Sequence, residues 1–140
     1  MKIIRLFAGA MFLACLVIPV RAQQGPSAQK PVQEIQMTAK DFEFDPPVVH
    51  VKVGASVKLI VTSTDRTHGI RINLFPDGAA GNTPPGLEFI FGQDCFKLKK
   101  ADPVVIEFTA HDAGTYSFTC CKLCGTGHKK MKGQIVVDPS

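Results

Sequence analysis

The chain contains no tryptophan, and beyond its first residues it has no long apolar run. It has no helical period from residue 23 onward, which argues against a helical fold. It has no internal repeat, and no low-complexity segment beyond a short leader. Net charge is also small. Residues 1–22 carry Lys2, Arg5 and Arg21 and no acidic residue, so without them the formal charge falls from +4 to about +1. A balance that close to neutral gives no case for nucleic acid as a partner.

The apolar run that does exist sits at the start. Lys2 and Arg5 precede Leu6 to Val20, and Val20 and Ala22 offer modest side chains for cleavage. This reads as a secretory signal peptide over residues 1–22. A retained membrane anchor is the alternative, but the run is short for a span and contains Pro19. Lipidation at Cys15 is a weaker alternative, because the apolar run continues past it. Residues 23–31 are rich in Gln, Ser, Ala, Gly and Pro and read as a flexible leader. Residues 32–140 then form one domain, exported to the periplasm or beyond and expected to be soluble, with no transmembrane segment.

Short alternating runs fill that domain. Strands are expected at 32–38, 48–53, 56–63, 69–75, 104–109, 115–119 and about 133–138, with turn residues between them. Asp41 to Pro47 places Phe42 and Phe44 on one face before a proline pair stops the strand. Residues 76–102 read as a long irregular loop, of the length that usually has a function. The pattern argues for an all-β sandwich or barrel.

The most informative stretch lies between the last two expected strands. Cys120, Cys121, Cys124, His128 and Met131 fall within twelve residues, with Cys120 and Cys124 four apart, His128 four further on and Met131 three beyond. Thiolate and thioether donors select copper, and imidazole suits it. Structural disulfides among Cys95, Cys120, Cys121 and Cys124 suit an exported chain, but they leave His128 and Met131 unexplained. A tetrahedral zinc site of two cysteines and two histidines also ignores Met131. A mononuclear blue-copper site of His68, one cysteine, His128 and Met131 leaves the second cysteine idle. Gly125-Thr126-Gly127 lacks the phosphate-loop pattern and reads as a flexible turn between donors. His50, mid-strand, and His111, in a polar turn, read as surface histidines, and Met37 as core or edge packing.

The spacing Cys120…Cys124-Gly125…His128…Met131 resembles the binuclear copper (CuA) signature of the cytochrome c oxidase subunit II soluble domain, shared by nitrous oxide reductase. Ala113 to Cys120 resembles the strand entering that site, and Met131 to Val137 the strand leaving it. Asp65-Arg66-Thr67-His68-Gly69 resembles the segment that supplies the other histidine. Phe44-Asp45-Pro46 and Val51-Lys52-Val53-Gly54 are similar to cupredoxin-like domains more broadly.

The resemblance implies a Greek-key cupredoxin sandwich with two copper ions. Cys120 and Cys124 would bridge them, and His68 and His128 would bind one each. Met131 and the backbone carbonyl of Lys122 would be weak ligands. It implies single-electron transfer to or from a redox protein, with no small-molecule substrate. The chain would not be catalytic alone, though it could be the electron-entry part of an oxidase or reductase. A periplasmic copper carrier or chaperone is the alternative from another class. Cys121 should point away from the ligands and could pair with Cys95, pinning the long loop to the ligand loop; spacing does not fix that connectivity.

The departures concern the surface. Subunit II normally carries transmembrane helices before its copper domain. The family usually has an acidic residue where Lys122 stands, and its cytochrome c-docking tryptophan is missing. Lys122, Lys129, Lys130 and Lys132 lie in or beside the loop, and Lys97, Lys99 and Lys100 form a second cluster. A basic rim should not attract a basic cytochrome c.

Overall fold

A computed structural model describes residues 32–140. The expected signal peptide and leader lie outside these residues. Ten strands run in chain order: β1 (Val32–Lys40), β2 (Glu43–Asp45), β3 (Val48–Lys52), β4 (Ser56–Ser63), β5 (His68–Ile72), β6 (Leu87–Phe89), β7 (Phe96–Leu98), β8 (Val104–Ala110), β9 (Gly114–Thr119) and β10 (Lys132–Asp138). Among the described residues the only helical turn is a 3-10 turn over His128–Lys130. No helix among them is long and apolar enough to cross a membrane.

The strands form two five-stranded sheets, ordered β2-β1-β4-β8-β6 and β3-β10-β9-β5-β7. From β2 to β9 each successive strand lies in the other sheet, so loops cross between layers at both ends. Strand β4 shows why the layers form. Its residues alternate without a break between buried and half-buried, with Val57, Leu59, Val61 and Ser63 inward. It pairs parallel to β1 and antiparallel to β8, which places it centrally. From the facing sheet Ile70, Tyr116, Phe118 and Ile135 close the core. Phe44 meets Phe118 edge-on at 5.2 Å. Each such side chain contributes about 1.5–3 kcal/mol by leaving water. Met37 is 2% exposed, as core packing requires.

Two expectations need correction. The 76–102 segment is not wholly irregular: it supplies β6 to the edge of one sheet and β7 to the edge of the other. Phe42 is not beside Phe44 on a strand face. Asp41 and Phe42 have φ of 51° and 65°, a left-handed turn that ends β1 and starts β2. That turn sends Phe42 under the loop after β9, while Phe44 enters the core. The other strands start or end within a few residues of expectation, β5 differing most, since it begins at His68 and ends at Ile72.

Candidate metal centre

The loop from Cys120 to Met131 joins β9 to β10 at one end of the sandwich. Strand pairing carries on to Thr119 opposite Lys132. The Cys120 amide then donates to the Met131 carbonyl at 2.9 Å and closes the foot of the loop. Gly125 has φ of 134°, a conformation that favours glycine. The following 3-10 turn is held by the His128 amide on the Gly125 carbonyl and the Lys130 amide on the Gly127 carbonyl. The Phe42 ring packs so closely on Gly127 that any Cβ there would collide with it. These contacts fold the loop back on itself and bring His128 towards Cys124.

The sulfurs of Cys120 and Cys124 lie 3.5 Å apart, and both residues are buried free thiols. His128 Nδ1 is 3.8 Å from the Cys124 sulfur. The Cys120 thiol donates to the Lys122 carbonyl at 3.1 Å, so it is the backbone of Lys122 that enters the cluster while its side chain is exposed. Met131 is 1% exposed at the foot of the loop. Burial, and then the neighbouring Cys120, push the Cys124 thiol up to about 11. Two thiols this close do not both ionise without a compensating cation.

His68 comes from the start of β5, opposite Leu98 of β7, and is fully buried. Its Nε2 lies 2.7 Å from the Asp65 carboxylate. Burial raises the Asp65 carboxyl, but hydrogen bonds from His68 and from the amides of Arg66 and Asp41 outweigh that. They hold it well below the usual carboxylate range. A carboxylate can only accept, so in the neutral ring Nε2 carries the proton and Nδ1 presents a lone pair. That Nδ1 is the one buried side-chain polar atom among the described residues with no hydrogen-bond partner. Donor atoms of His68, Cys120 and Cys124 all lie within 4.8 Å of one another. A buried imidazole fixed by a carboxylate, with one nitrogen unpartnered and the ring close to two thiols, is the arrangement of a metal ligand with its supporting shell. The donors present therefore fit a soft metal ion, copper above all.

The other sequence candidates fall elsewhere. His50 is exposed and pairs with Asp138 at 3.1 Å, and His111 is exposed and pairs with Glu88 at 2.8 Å. Cys95 and Cys121 form a disulfide outside the cluster, with Cα atoms 5.9 Å apart. It lies over Gly69 of β5, where a Cβ would come within 2.8 Å of the Cys121 sulfur. Sequence reading missed three supporting residues: Asp65, Gly69 and Phe42. An acid three positions before a candidate histidine ligand was the available sign for Asp65.

Comparison with known proteins places the architecture. Cytochrome c oxidase subunit 2 of Thermus thermophilus is 26% identical over 125 residues, spanning 82% of this chain and 79% of that protein. Its counterpart from a second strain of that species matches at the same identity, but the aligned part spans 64% of its length. Among solved structures, a heme-copper terminal oxidase dimer superposes with a TM-score of 0.55 at 22% identity, covering 76% of this chain and 65% of that one. Reduced auracyanin from Roseiflexus castenholzii superposes at 0.56 with 23% identity, covering 76% of this chain and 98% of the other. These superpositions speak to fold. The cupredoxin-like domain family matches residues 9–137, and the chain belongs to that family.

Proposed function

We propose that this protein is an exported electron carrier holding a binuclear copper centre. Cys120 and Cys124 would hold both ions, His68 and His128 one each, with Met131 and the Lys122 carbonyl as weak donors. One observation carries the reading: the buried His68 imidazole, fixed by Asp65 and left with a partnerless Nδ1, offers a ring nitrogen within 4.8 Å of two buried thiols that are themselves 3.5 Å apart. Held by these residues, copper would supply one-electron chemistry with little change of shape. The chain's own contribution is rigidity. Strand β5 fixes His68, Asp65 fixes its ring, and the Phe42 ring with the 3-10 turn holds His128 in place. Burial keeps water from the thiols. The proposed organisation is a signal peptide over residues 1–22, a leader over 23–31 and the copper domain over 32–140. Sequencing the mature N-terminus tests the first boundary.

A mononuclear blue-copper reading is favoured by one likeness. Auracyanin A from Chloroflexus aurantiacus, described as a "blue" copper protein, superposes with a TM-score of 0.57 at 17% identity. It leaves one of the two facing thiols without a role, and so we prefer the binuclear reading. Copper counting with electron paramagnetic resonance on the loaded protein separates them. Two coppers per chain sharing one unpaired electron support the proposal; one copper with a four-line pattern overturns it. Rapid loss of copper to a recipient protein would instead identify a carrier.

A further inference from the structure

We propose that the surface around the buried donors is a docking site for an acidic one-electron carrier protein. This rests on the electron-transfer reading and names the kind of partner that site would accept. Three separate elements bring lysines to this rim. Strand β7 and its exit supply Lys97, Lys99 and Lys100. Lys97 stands opposite Gly69, and Lys100 bridges to Ser63 at the end of β4. The ligand loop supplies Lys122, whose side chain lies over Gly69 beside the disulfide. The 3-10 turn supplies Lys129 and Lys130. All six are exposed.

The acids of this end are mostly committed. Asp65 holds His68 and Arg66, Asp94 pairs with Arg71, and Asp102 lies 3.9 Å from Lys99. Asp41 and Glu43 share a shallow groove with Lys130. Among the described residues that leaves Lys97, Lys100, Lys122 and Lys129 with no acidic partner. The far end of β9 lacks such a lysine group among the described residues: Asp77, Glu88, Asp112 and Asp138 lie there, Glu88 paired with His111 and Asp138 with His50 and opposite Lys52.

An ordinary solvated lysine face would not need an apolar centre. This one has it. Leu123 is 89% exposed, between Lys122, whose carbonyl accepts from Cys120, and buried Cys124. An apolar centre inside a charged rim is the anatomy of a protein interface. A carrier seated on Leu123 would sit directly over the donors. Complementary charge would speed its encounter and turn away basic carriers.

The test mixes the copper-loaded protein with a reduced acidic b-type cytochrome and, separately, a reduced basic c-type cytochrome, over rising salt. The acidic carrier should react about tenfold faster or more at low salt, with the difference shrinking as salt screens the rim. The double variant Lys97→Glu with Lys100→Glu should remove that advantage and leave the copper spectrum unchanged. A native spectrum with a faster basic carrier, or with salt-independent rates for both, overturns the docking site and spares the copper reading. A second measurement needs no metal: titrating the isolated chain with the oxidised acidic cytochrome should shift the amide resonances of Lys97, Leu123 and Lys129. Unshifted resonances there overturn the proposal even if copper never binds.

Discussion

Cys120 and Cys121 are adjacent, yet they belong to two different regions. Cys120 continues the inward phase of β9, 6% exposed, beside Cys124 and His68. Cys121 takes the outward phase and closes a disulfide with Cys95 across Gly69. Strand alternation alone accounts for the split, because successive side chains point to opposite faces. One region keeps its sulfurs free and buried, and the other commits them to a covalent tie to the long excursion between β5 and β8. The tie fixes the outer side of the ligand loop; Phe42 and the β9–β10 pairing fix the rest. Donor geometry is thus set by contacts around the donors.

The harshest way to break the comparison is to remove a donor from the buried region. If the proposed binuclear centre forms, Cys124→Ser should abolish its spectrum altogether, and His68→Ala should do the same by deleting the proposed upstream nitrogen. Copper counting and electron paramagnetic resonance read both. A native spectrum in His68→Ala would eliminate the upstream ligand from the proposed set.

A gentler change leaves every donor in place. Asp65→Asn removes the charge that fixes the His68 tautomer, and an amide there can offer either a donor or an acceptor. Copper affinity should fall about 10–100-fold, the usual effect of losing such a supporting group. Competition against a chelator measures it. Affinity equal to wild type would mean that backbone packing alone orients the ring.

Much of this was legible in the chain and some was not, for physical reasons. β4 could be read directly, since eight alternating residues announce a half-buried strand. β6 and β7 could not, being only three residues each, too short for alternation to show, within a long segment that opens on Gly and Pro. They are held by edge pairing with distant strands. Phe42 was misplaced because period-two counting cannot see a left-handed turn. The loop donors were legible from their density. His68, distant in sequence from Cys120, could be offered as a donor from the residues alone, but its place beside both cysteines came from the family resemblance. Asp65 and Gly69 stood out only as neighbours of His68 in the segment that resembles the family's, with no role of their own. Their roles depend on partners from other segments.

The smallest effect on the metal should come from the outer region. Cys95→Ser combined with Cys121→Ser removes the disulfide and leaves the ligand set whole. Both cysteines must go together, because a lone Cys121 thiol next to Cys120 could exchange into the donor pair. The sequence separation closed is 26 residues, so chain entropy predicts a stability loss of about 3–4 kcal/mol. Denaturant unfolding of the oxidised wild type against the double variant reads that loss. The copper spectrum should be nearly unchanged, because the inward phase of Cys120 is set by its pairing with Met131, which the variant keeps. A variant that stays folded but loses the native spectrum would show the two regions to be one: the covalent tie, rather than strand phase and Phe42, would then be what holds the donors in place.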